Sequence, residues 1–246
     1  MHCCSIGAFL TTLLFAAASF AQAPPPPPPK AVTGNVSIGF ALTNGNKDTS
    51  TFNASYEVTH DPKTKNVVKS SGLFLRGQSD GQRTAEQFAL VGRDEYTVSK
   101  RAFAFGELRY LHDKFKEISY LLSPTAGVGY RFVDTAATVL STSAGVGGAW
   151  EKNPGRDVRA SGAVTAEEKL SRKLSPTATA TQSISALWKT TDFGDALYTF
   201  GAGLAVSIVS QAQLKVEMLD TYKNQPPNQA VKKNDVAILM GVVYKF

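Results

Sequence analysis

From about residue 32 to the end, the chain alternates apolar and small or polar residues with period two. In "NVSIGFALT", Val36, Ile38, Phe40 and Leu42 share one side, and Ser37, Gly39, Ala41 and Thr43 share the other. That spacing predicts an extended strand. "TNGNKDT" reads as a turn, after which Phe52, Ala54, Tyr56 and Val58 resume the pattern. The longest run places Ile118, Tyr120, Leu122, Pro124, Ala126, Val128, Tyr130 and Phe132 on one face. Further runs pass through Leu140 to Trp150, Ala178 to Trp188, Tyr198 to Ile208 and Leu214 to Met218. The last run is Val236, Ile238, Met240, Val242, Tyr244 and Phe246.

About twelve strands result, most of them near ten residues or longer, against about five or six in an ordinary sheet. Length decides between a soluble sandwich and a membrane barrel, because a spanning strand needs about 9–11 residues. The second face is rich in Gly, Ser, Thr and Ala with scattered charges, which suits a lumen. The pattern predicts an all-β chain forming an antiparallel up-and-down transmembrane β-barrel. Val128 and Val206 then face lipid, while Thr125 and Gly203 face water inside. Four places fit less well. Residues 68–92 alternate poorly, and Pro124 and Pro176 fall inside predicted strands, where each removes a ladder donor. Near Gly106 the apolar phase passes from Phe103 and Phe105 to Leu108 and Tyr110, which predicts a bulge there.

Threading an even number of strands from a periplasmic N-terminus puts outer loops near 44–49, 78–83, 111–117, 151–157, 189–195 and 221–234. Inner turns fall near 61–66, 92–97, 133–137, 170–174 and 209–212. The longest connection, "YKNQPPNQAVKKN", is then external, as such barrels prefer.

Composition changes the picture at the N-terminus. "IGAFLTTLLFAAASFAQA" is an apolar core followed by small residues, the pattern of a secretory signal. The predicted signal peptide is 1–21, with Ala23 as the other cleavage position. Residues 22–31 form a proline-rich periplasmic spacer, since six successive prolines favour a polyproline II rod. The barrel domain is 32–246. Cys3 and Cys4 both precede the apolar core, so a processed chain holds no cysteine for a disulfide, metal site or nucleophile. The net charge of +6 is scattered rather than clustered, which argues against nucleic acid as a partner.

"LTNGNKDTSTFNASYEV", "RAFAFGELRYLHDKFKEISYLLSPTAGVGYRF" and "YKNQPPNQAVKKNDVAILMGVVYKF" together resemble the salt-induced outer-membrane protein family. They match its Gly-Asn turn after the first strand, its Tyr-x-x-Asp-x-Phe and Gly-x-Gly-Tyr middle, and its Pro-Pro loop before a final strand ending in Phe. The tryptophan that often enters the family's first strand is missing here. The resemblance implies an outer-membrane barrel of unknown function, in contact with outer-membrane lipid. It also implies that the barrel-assembly machinery reads Phe246, Tyr244, Val242, Met240 and Ile238 as an assembly signal.

Catalytic motifs are sparse. Past the signal the histidines are His60 and His112, each followed by aspartate, and the predicted topology puts them at opposite ends of the barrel. There they share neither a metal nor a triad, and neither H-E-x-x-H nor G-x-S-x-G occurs. No enzyme activity, metal or cofactor is expected, and a lipid-acting barrel enzyme is the weakest of the alternatives. A pore would use lumen charges, for which Glu57, Arg76, Glu107, Arg109, Arg131, Lys215 and Glu217 are the candidates. A closed barrel would pair those charges across the lumen and act through its outer loops. Both readings stand at this point.

Overall fold

A computed structural model describes residues 30–43, 49–228 and 230–246; the predicted signal peptide and proline run lie outside the described residues. The strands are β1 (Val32–Thr43), β2 (Thr49–His60), β3 (Asn66–Ser79), β4 (Gln82–Thr97), β5 (Ala102–Asp113) and β6 (Ile118–Asp134). They continue as β7 (Thr138–Lys152), β8 (Arg159–Lys173), β9 (Ala178–Lys189), β10 (Asp192–Ser207), β11 (Ala212–Lys223) and β12 (Asn234–Lys245). Each pairs antiparallel with its chain neighbours, and β1 pairs with β12, giving a closed twelve-stranded up-and-down barrel. Closure leaves no sheet edge, which a chain spanning lipid requires.

The faces are inverted relative to a soluble protein. Ile38, Phe40, Val128, Val146, Ile238 and Met240 are exposed on the outward wall. Ser37, Asn53, Arg93, Glu107, Glu151 and Gln213 are buried inside. This is a transmembrane β-barrel. Turns 61–65, 98–101, 135–137, 174–177 and 208–211 lie at one end with Val32 and Phe246, here the turn end. The other connections, among them 114–117, 153–158 and 224–233, form the loop end. In turn 61–65, Lys63 donates to Asp61 through Nζ (2.8 Å) and its backbone N (2.9 Å), which holds the Asp61 carboxyl below its usual range.

Several expectations are corrected. Residues 92–97 are strand, not turn, and the chain reverses at 98–101. No bulge occurs at Gly106, which pairs in unbroken register with Asp94. Instead Phe103 and Phe105 point inward and are buried, while Leu108 lies exposed on the outward face of the same strand. The slip occurs later, between Leu111 and Asp113, and carries Ile118 inward to 1% exposure rather than onto the lipid face. Within residues 68–92 the ladder is regular from Val68↔Asp94 to Gly77↔Ala85, and the one register shift lies between Gly77 and Gln78, beside the turn. Their alternation is masked because Leu73, Leu75 and Ala89 sit inside, opposite Phe74, Phe88 and Leu90 outside. Pro176 lies in a turn. Pro124 does interrupt β6, but the Ser123 hydroxyl donates to the carbonyl of Gly148 (2.8 Å), across from the missing N–H.

The β1–β12 seam is the shortest ladder, running only from Asn35↔Lys245 to Ile38↔Val242. Phe246 extends it through a mutual pair of backbone bonds with Gly34 (3.1 and 3.3 Å). A Cβ at Gly34 would come within 2.7 Å of the Phe246 ring, so glycine there gives the ring its seat. At the other end of the seam, Asn53 reaches past Gly39 to the carbonyl of Met240 (3.4 Å).

Candidate functional site: the barrel interior

The inward residues of each strand form layers, ordered from the turn end to the loop end. On β5 the order is Phe103, Phe105, Glu107, Arg109, Leu111 and Asp113: aromatic, charged, apolar, acidic. On β4 the charged pair Glu95 and Arg93 likewise gives way to Val91 and Ala89 toward the loop end.

The charged layer centres on Arg93, 6% exposed. Its guanidinium donates to Glu95 (3.0 Å), Glu107 (2.9 Å), Glu167 (3.2 Å) and Ser143 (3.2 Å). It also lies 3.8 Å from the centroid of Phe105, so a flat cation stacks on a ring that a lipid-facing phase would have wasted. Lys69 and Arg131 hold Glu95 from the other side (2.8 and 3.2 Å), Arg109 holds Glu107 (3.0 Å), and Lys169 holds Glu167 (2.9 Å). Around the wall, Lys215 pairs with Glu217 (2.9 Å) and Asn35 donates to Glu57 (3.0 Å).

Above this comes an apolar layer of Leu111, Ile118, Leu121, Ala149, Ala163, Leu187 and Leu197, packed as one cluster on the β5–β10 side. Above it, at the loop end, Glu151 bridges Lys189 (2.7 Å) and Lys223 (3.1 Å), and Asp195 binds the same two lysines (2.6 and 3.2 Å). Connection 224–233 forms a lid, tied down by Lys116, fully buried, whose Nζ donates to the carbonyls of Lys232 (3.1 Å) and Lys233 (2.7 Å) and to Asp235 (2.9 Å). Asp113 shapes the turn that carries Lys116 inward by accepting the amides of Phe115 and Lys116, both at 3.0 Å. Asn228 donates to Glu117 (2.6 Å) and Arg156 to the carbonyl of Pro227, joining loop 224–233 to its neighbours.

Those contacts give the sequence motifs a physical role. In Tyr110-x-x-Asp113-x-Phe115, the aspartate caps the turn, and the Pro-Pro loop leads to the carbonyls that receive Lys116. The family described as protein of unknown function, DUF481, matches residues 36–246. The chain belongs to this family. YdiY of Escherichia coli (strain K12), an uncharacterized protein, is 23% identical over 217 residues, 87% of this chain and 83% of YdiY. Among solved structures, an outer-membrane channel from Pseudomonas putida F1 superposes with a TM-score of 0.51 at 12% identity, covering 89% of this chain and 96% of the channel. The translocator domain of the autotransporter NalP from Neisseria meningitidis matches at a TM-score of 0.47 and 12% identity, covering 87% of each chain. At 12% identity the likeness to the channel concerns the fold.

Of the candidate lumen charges, Glu57, Glu107, Arg109, Arg131, Lys215 and Glu217 face the interior of this DUF481 barrel. Arg76 does not. It lies on the exposed outward face, paired across the ladder with Phe52 and Glu86. Thr125 faces inward but is 7% exposed with an unpartnered Oγ1, so its surroundings are packed side chains rather than water. Gly203 also faces inward, but a Cβ there would come within 2.9 Å of the Thr181 hydroxyl and 3.6 Å of Lys215, so this position is packed as well. His60 and His112 lie at opposite ends on outward positions, His112 donating from Nδ1 to the carbonyl of Ser119 (2.8 Å). Phe246, Tyr244, Val242, Met240 and Ile238 are all exposed on the outward wall.

The central residues Arg93, Glu95, Glu167, Glu151, Lys189 and Lys223 were not among the candidates. Three of them carried a readable signal: Trp150-Glu151, Trp188-Lys189 and Tyr222-Lys223 each put a rim aromatic outside and the next residue inside.

Proposed function

We propose that this chain is an integral outer-membrane β-barrel of the bacterial envelope, shut in its resting conformation. It acts through the surface its loops present rather than by catalysis. The turn end faces the periplasm and the loop end the exterior. Outer-membrane lipid surrounds the wall, and the barrel-assembly machinery reads the last strand, with Phe246 at its end. One observation carries the shut state: interior charges are paired with one another instead of lining a free channel, beneath a packed apolar layer and a latched lid. Unpaired lumen charges would tune passing ions. Charges held in mutual ion pairs lock the layer that contains them. The loops drawn together at the loop end, 114–117, 153–158 and 224–233, then form a single contact surface.

The test is electrical. Purified and refolded protein inserted into a planar bilayer is expected to give no open steps. Regular, repeatable steps from the unaltered protein would contradict a shut barrel.

A further inference from the structure

The interior is filled unevenly. The apolar cluster belongs to β5–β10, whereas the wall formed by β2, β3, β4, β11 and β12 lines a stack of cavities. Nearest the turn end is a chamber of about 320 Å³, bordered by Glu57, Lys169, Lys215, Glu217, Gln213 and Lys245. The next cavity, about 150 Å³, shares Glu57, Lys215 and Glu217 with that chamber and adds Ser71, Leu73 and Leu239. The third, about 120 Å³, lies under the lid against Leu75, Gln87, Asp113, Phe115, Thr221 and Asp235. The second and third cavities have a single lining residue in common, Leu219.

We infer that this wall holds a latent conduction route for water and small inorganic ions, closed at Leu219. The inference rests on the shut-barrel reading. Polar groups border the stack on both sides of the leucine, with Glu57, Lys215 and Glu217 toward the turn end and Gln87, Asp113, Thr221 and Asp235 toward the lid. Between them the wall is apolar, with Leu73 facing Ala89 across β3–β4 and Leu219 facing Ala237 across β11–β12. A hydrophobic constriction between wet segments stops ions by excluding the water they must carry. Gauge sets the solute class. A water occupies about 30 Å³ in the liquid, so the two upper cavities hold a few waters each and cannot admit a sugar ring. The charged chamber carries both signs, Lys169, Lys215 and Lys245 with Glu57 and Glu217, so the route selects by size more than by sign.

The opposite wall supplies the control. Leu187 is 3% exposed in the packed cluster, and truncating it removes similar apolar volume away from the stack. The experiment compares single-channel traces of the full mature chain, of Leu219→Ser with Leu75→Ser, and of Leu187→Ser. Each is first checked for folding by its migration before and after boiling. The expected result is discrete open steps from the Leu219/Leu75 variant alone. A folded double variant that stays silent, or Leu187→Ser opening as readily, would overturn the route. Steps already present in the unaltered protein would overturn the shut barrel. In that event Leu219→Trp separates the two ideas: if it abolishes the steps the route stands, and if the steps persist the route fails as well.

Discussion

Glu151→Gln is expected to destabilise the refolded barrel by about 3–5 kcal/mol, the usual cost of breaking one side of a buried ion pair. The carboxylate is 2% exposed and is shared by Lys189 and Lys223, themselves 6% and 2% exposed. Neutralising it leaves both ammonium groups on Asp195 alone. The change keeps the shape of the side chain, so the loss comes from charge rather than a cavity. Urea unfolding in detergent reads it as a lower midpoint at unchanged slope. Glu151→Leu combined with Lys223→Met should recover most of the loss, because it leaves Lys189 and Asp195 as a one-to-one pair within an enlarged apolar layer. A double variant no more stable than Glu151→Gln would show that packing, not charge balance, holds the loop end.

Removing Phe246 is expected to reduce protein in the outer membrane severely while leaving a refoldable barrel in detergent. The residue is 41% exposed on the outward wall, and placing one ring against lipid contributes at most about a few kcal/mol, spread over a closed twelve-stranded ladder. The residue matters twice over. As an outward aromatic at the end of β12, it completes the pattern proposed to be read during assembly. Its two backbone bonds with Gly34 also extend the shortest seam in the barrel. Phe246→Tyr and Phe246→Trp keep those bonds and an aromatic ring, and should keep most of the assembled protein. Quantitative blotting of outer-membrane fractions separates the cases. Wild-type levels from the truncated chain would reduce Phe246 to an ordinary strand residue.

Barrel architecture was legible because alternation sustained over ten or more residues fits a long two-faced strand and little else, and β6 and β12 show it plainly. It became illegible where the interior is not polar. Phe103 and Phe105 look like lipid-facing residues until Arg93 is seen stacked against them. Leu73, Leu75 and Ala89 belong to an internal apolar layer, so β3 and β4 read as irregular although their ladder keeps register as far as Gly77↔Ala85. Ile118 kept the apparent period of β6 while the slip beside it turned its side chain inward. The site was legible by parity but not by partner. Face alone identified Glu107, Arg109, Arg131, Lys215 and Glu217 as candidates. Face could not show that Arg93, from β4, gathers carboxylates on β4, β5 and β8. Arg76 failed because β3 offered no clear phase from which to count.

The most direct test of the account is the behaviour of the protein in the envelope. Cells making the full chain are fractionated, and the outer-membrane fraction is run on a denaturing gel with and without boiling. The expected result is recovery with the outer membrane and a compact band that shifts on boiling, as a closed ladder resists detergent until heated. Recovery as a soluble periplasmic protein with no heat-dependent shift would contradict it.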